Sequence, residues 1–169
     1  FTAGKFDEAS FKMNRVRLEI LGHLNEGLSY HFRQSFNKYS NPYSVDNISS
    51  SIEYAYITWH HKDKFNLIAG KQFLAVAGYE GWVNGLKVRE FSEFNNNFDI
   101  FQTGLTGVFY FTPTQHLYVQ FSNLRTGADN DMYLYGLPEG VESSKFPILA
   151  TANWNGWFAD RSIHLMYSA

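Results

Sequence analysis

The feature that most constrains what this chain can fold into is a two-residue rhythm that recurs in paired segments. From Asn14 to Leu21, Val16, Leu18 and Ile20 fall on one parity, and Arg15, Arg17 and Glu19 on the other. A helix would mix these sets, whereas a strand sends successive side chains to opposite faces and keeps them apart. Asn25-Glu26-Gly27 reads as a tight turn. Beyond it, Leu28, Tyr30 and Phe32 alternate with Ser29, His31 and Arg33. The unit is a hairpin with one apolar face and one polar face.

The unit repeats along the chain. Ile52, Tyr54 and Tyr56 form the apolar-aromatic face of a third strand, which turns at Lys62-Asp63-Lys64. Phe65, Leu67 and Ala69 then alternate with Asn66, Ile68 and Gly70. Gln102 to Phe111 turns at Thr112-Pro113-Thr114-Gln115 into Leu117, Val119 and Phe121. Ile148, Ala150, Ala152 and Trp154 turn at Ala159-Asp160-Arg161 into Ile163, Leu165 and Tyr167. The pattern predicts one all-β segment over residues 1–169, with antiparallel up-and-down strands near 14–24, 28–36, 52–61, 65–72, 100–111, 116–124, 148–158 and 162–169. Connections within hairpins are short. Those between hairpins, roughly Asn37 to Ser51, Phe73 to Asp99 and Arg125 to Pro147, are long. Short turns alternating with long loops are the signature of a transmembrane β-barrel.

Alternation alone does not say which face is inside. A soluble barrel or sandwich turns its apolar face inward, and a membrane barrel turns it outward. Three features favour the membrane. Tyr30, Phe32, Tyr54, Tyr56 and Trp154 place aromatics near strand ends, as interfacial girdles do. The opposite face mixes sparse charge with Ser, Thr, Asn and Gln. The loop alternation has no reason to exist in a soluble sandwich. Composition agrees: 18% aromatic residues with a mean hydropathy of only −0.31 fit a wall in which alternate residues face lipid. No apolar run reaches the roughly 18 residues of a membrane helix.

Other function classes find little support. A formal charge of −2, from 14 basic and 16 acidic residues, gives no basic face for nucleic acid. With no cysteine, disulfide scaffolds, thiolate metal sites and cysteine nucleophiles are excluded. There is no G-x-S-x-G elbow, dinucleotide fingerprint or phosphate loop. His60 and His61 are adjacent and point to opposite faces of a strand, and His23, His116 and His164 show no zinc spacing. No catalytic residue, metal or cofactor is expected. Phe1 opens no signal peptide, so the chain reads as mature, trimmed or a fragment.

Arg15, Arg17 and Arg33 share the polar face with Glu19 and His31, and these five are the candidate pore-lining residues. Arginines in a low-dielectric wall raise the local concentration of anions. The structural alternative pairs Arg15 or Arg17 with Glu19. Lys71 breaks the alternation near a strand end, where its ammonium would snorkel to headgroups unless a bulge turns it inward.

Three segments carry a family likeness. They are Arg15 to Glu19 with Ser29 to Arg33, Ser51 to Trp59, and Lys64 to Gln72 followed by Gly78-Tyr79-Glu80. Over residues 11–81 the chain resembles the phosphate-selective porins; beyond that, the likeness is one of hairpin rhythm. The resemblance implies a bacterial outer-membrane barrel of about sixteen strands, often trimeric, that passes small hydrophilic solutes. It also implies a constriction in the long loop after Gln72, where Lys87 and Arg89 are the basic candidates. Glu80, Glu90 and Glu93 interrupt any basic ladder there. About eight strands are half of such a barrel, and Ala169 is not the terminal aromatic such proteins carry, so a piece of a larger protein is expected. The expected function is passive diffusion of small solutes with anions favoured. The alternatives are a structural or plugged barrel within a larger outer-membrane complex, and a soluble ligand-binding barrel.

Overall fold

A computed structural model describes residues 16–36, 51–76, 78, 81, 92, 100–123, 139–142 and 148–169. Eight strands follow one another: β1 (Arg17–Asn25), β2 (Leu28–Ser35), β3 (Ile52–His61), β4 (Phe65–Phe73), β5 (Phe101–Thr112), β6 (Gln115–Asn123), β7 (Ile148–Phe158) and β8 (Ile163–Ser168). They form a single antiparallel sheet in the order β1 to β8, so every strand pairs with its neighbours in sequence. The four short turns therefore gather at one end. Local chemistry closes them. Asn25 Oδ1 accepts from Gly27 N at 2.8 Å, which mimics a backbone turn. Lys62, Ala159, Asp160 and Arg161 adopt the left-handed region, as tight hairpins demand.

Register assigns the two faces. Ile20, Phe32 and Ala55 lie side by side, as do Leu67, Gly107, Val119 and Ala152. The opposite face carries Glu19 beside Arg33, and Thr106, Gln120 and Thr151 in one row. Burial then says which face is inside. Gln120 and Asn153 are 0% exposed, while Ile57 is 48% and Phe121 52% exposed. Among the described residues, the enclosed side chains are mostly polar, and many large apolar ones are bare. That inverts a soluble protein, whose apolar face is hidden, and it is what a wall facing lipid requires.

Tyr54 and Tyr56 correct the sequence expectation. They were expected on the outward aromatic face with Ile52, yet they pair with Arg33 and His31 on the polar face. The cause is a bulge: Arg33 pairs with Tyr54, but Gln34 pairs with Ile52, which leaves Glu53 as an extra residue. One inserted residue shifts the alternation by one. Ile52 and Glu53 keep the expected phase, and everything from Tyr54 to His61 takes the other. The outward residues of β3 are Ala55, Ile57 and Trp59.

A second irregularity lies where Gly70 and Gly104 pair. Gly70 has φ +126°, and a Cβ there would run into the Ala55 carbonyl oxygen; a Cβ on Gly104 would run into that of Phe121. Only glycine permits this backbone and this approach. Beyond it both faces close over: Lys71 is 2%, Gln72 4% and Gln102 2% exposed. Lys71 is thus buried rather than reaching out toward headgroups. Of the described strands, β1 and β8 each keep one unpaired edge.

Candidate functional site

The bulge in β3 builds an ion-pair cluster on the polar face. Glu53, fully buried, receives Arg17 Nη2 on Oε1 at 3.0 Å. Arg33 Nε stands 2.8 Å from Glu53 Oε2, an ion pair whose N–H is not aimed along the line. Glu19 closes the other side, 2.6 Å from His31 Nε2 and 3.9 Å from Arg33 Nη1. His31 Nδ1 lies 2.8 Å from the Tyr56 hydroxyl. The Arg33 guanidinium caps the Tyr54 ring at 3.9 Å, a cation over an aromatic face.

The structure thus brings together Arg17, Glu19, His31 and Arg33, as the sequence suggested. Arg15, Lys87 and Arg89 lie outside the described residues. The structural alternative paired Arg15 or Arg17 with Glu19; the ion-pair partner of Arg17 is Glu53. Nothing in the alternation marks Glu53 as the hub, because the bulge that centres it is a property of the paired strands.

A second group fixes the chain as it leaves β4. Gln120 on β6 accepts from Ala75 N at 2.8 Å through Oε1 and donates to the Phe73 carbonyl at 3.1 Å through Nε2. Leu74 N donates to Ile100 O at 2.9 Å. Gln120 stands on the polar face, so the start of the long loop is drawn against that face, and Leu74 and Ala75 are buried there. Beside it lies a cavity of about 300 Å³ lined by Tyr54, Tyr56, Gln72, Gly81, Tyr118 and Gln120, among others. Sequence reasoning placed Gln120 on the right face and missed its role, since its partners lie 45 and 47 residues away.

Further along the face, Asn153 Nδ2 donates to Ser168 Oγ at 2.6 Å and Asn155 Nδ2 donates to Asn153 Oδ1. Among the described residues, no three His, Asp or Glu side chains gather as a metal site would require. The arrangement offers a polar, partly charged surface.

Compared with known proteins, the chain matches a family model described as phosphate-selective porin O and P, over residues 2–169. No curated protein and no solved structure matches it.

Proposed function

This chain belongs to the phosphate-selective porin O and P family, and on that premise we propose that it forms wall of an outer-membrane channel for passive diffusion of small hydrophilic solutes. The observation that carries the reading is the inverted burial: enclosed Gln120, Asn153 and Glu53 on one face, bare Ile57, Leu105 and Phe121 on the other. In hydrocarbon an open sheet edge is not viable. In the membrane, β1 and β8 each take a further strand partner, in keeping with a larger barrel and with the trimeric assembly usual in such proteins.

Arg17, Glu19, His31 and Arg33 line the pore in this reading, and Arg15 is the fifth candidate. The loop that begins at Phe73 narrows it and carries Lys87 and Arg89. Arg17 and Arg33 are matched by Glu19 and Glu53, so their first role is to brace the wall. An anion preference draws instead on Arg15, Lys87 and Arg89. Transport needs no chemical change in the solute. The rival reading, a plugged scaffold barrel, has one observation in its favour: Leu74 and Ala75 already fill part of the polar side.

Single-channel recording in planar bilayers separates the two, with the reversal potential measured across a salt gradient. Steady ion-permeable steps support the channel, and the sign of the potential reports the preferred ion. A protein that inserts and stays silent rejects the channel and leaves the plugged scaffold.

A further inference from the structure

The short-turn end of the polar face carries a row of imidazoles. Of the six histidines, His23, His60, His116 and His164 each stand within three residues of a short turn. They belong to one lateral chain of contacts that crosses all eight strands. The His23 and His60 rings are 6.4 Å apart. His60 Nε2 is 2.8 Å from Ser29 Oγ, and its Nδ1 is 3.0 Å from Asn66 Oδ1. Asn66 Nδ2 donates to the Tyr110 hydroxyl at 3.0 Å. Tyr110 meets His116 edge-on at 4.7 Å, and His116 meets Trp157 at 5.6 Å. His164 stacks on Trp157 at 4.1 Å, with the planes 8° apart.

His60 and His164 each face acceptors that suit a protonated ring. An amide that donates through Nδ2 to Tyr110 must present Oδ1, an acceptor, to His60, and Ser29 Oγ can accept on the other side. His164 Nε2 faces Asn155 Oδ1 at 3.1 Å, and Asn155 donates its Nδ2 to Asn153. Trp157 lays its ring face against His164, which favours a cation. No described carboxylate lies within ion-pair distance of any of the four, in contrast to His31 on Glu19. Among the described residues, the titratable groups facing them are one another, Tyr110 on β5 and Tyr118 on β6. The nearest fixed charges are those of the turns, where exposed Glu26, Asp63 and Asp160 balance exposed Lys62, Lys64 and Arg161. Glu19, Arg33 and Glu53 lie deeper along the face.

We propose that His23, His60, His116 and His164 form a selectivity ring at the short-turn mouth, which admits anions preferentially when protonated. The inference rests on the channel reading. A polar mouth whose fixed turn charges cancel takes its sign from whichever groups titrate, and imidazole is the side chain that does so near neutrality.

The test is the reversal potential of the full-length protein in planar bilayers across a potassium chloride gradient, titrated from about pH 8 to about pH 5.5. The anion-to-cation permeability ratio is expected to rise on the order of tenfold at low salt across this range, and to rise less at high salt. Replacing all four histidines by glutamine, which keeps an amide donor and acceptor at each place, removes the rise. His61→Gln, on the outward face beside Trp59, leaves it in place, and each single replacement in the ring removes part of it. Open channels whose ratio stays flat over this range overturn the ring and leave the channel reading standing. A rise that persists in the fourfold variant also overturns it. Silence at every pH removes the channel reading, and the ring with it.

Discussion

Replacing Glu53 by glutamine removes the one carboxylate that two arginines share, while keeping the volume and a hydrogen-bonding amide. Both contacts are short, 3.0 Å from Arg17 and 2.8 Å from Arg33, and Glu53 itself is fully buried. Unit charges about 4 Å apart interact by about 4 kcal/mol at an effective dielectric near 20. Breaking a buried pair costs about 3–5 kcal/mol, because a charge is left without its partner. The arginine side chains retain 29% and 16% exposure, so water screens part of that loss. The expected destabilisation of Glu53→Gln is about 2–4 kcal/mol. Arg17→Gln should cost less, about 1–2 kcal/mol, since Glu53 keeps Arg33. The assay is reversible urea unfolding in lipid vesicles, followed by tryptophan fluorescence. The double variant should lose less than the two single losses added together. A Glu53→Gln protein within about 0.5 kcal/mol of the parent, or an Arg17→Gln variant that loses more, refutes the hub. The same substitution makes the cluster one charge more positive, so the reversal potential should move toward anions.

Gln120→Ala cuts both hydrogen bonds that hold Phe73 and Ala75; it should cost about 2–3 kcal/mol and raise open-channel conductance and current noise, and unchanged traces would contradict an inward-held loop. Gly70→Ala forces a side chain into the Ala55 carbonyl at positive φ; the loss should be about 3 kcal/mol or more, read as a fall in folded yield, and normal yield would show that the close approach is not needed. Ile57→Arg should cost about 2–4 kcal/mol at the bilayer midplane, whereas Ile68→Thr on the polar face should cost clearly less; equal losses in vesicle unfolding would mean the faces are misassigned.

The strand rhythm, the four short turns and the split into apolar and polar faces were legible because each depends on local chemistry. Alternation at period two can only be a strand, and Asn25-Gly27 or Lys62-Lys64 can only turn. The resemblance to the porins reached only residues 11–81, while the family match extends over residues 2–169, since hairpin rhythm without marked residues is shared by many barrels. Of the candidate cluster, the sequence put Arg17, Glu19, His31 and Arg33 on one face, because they lie on two strands joined by a tight turn that sets their register.

Tertiary structure decided what depends on pairing between distant strands. A bulge is invisible in a single strand, since an extra residue exists only relative to its partner. The Glu53 bulge therefore turned Tyr54 and Tyr56 from the outward face to the inward one and made Glu53 the hub. Gln120 reached Phe73 and Ala75 across the intervening strand β5, and the histidines came into one row only when eight strands stood side by side. Sequence determined which side chains share a face, because that is set within a strand. The sheet determined which of them meet, and which face is enclosed, because those are set by register and curvature among strands far apart in the chain.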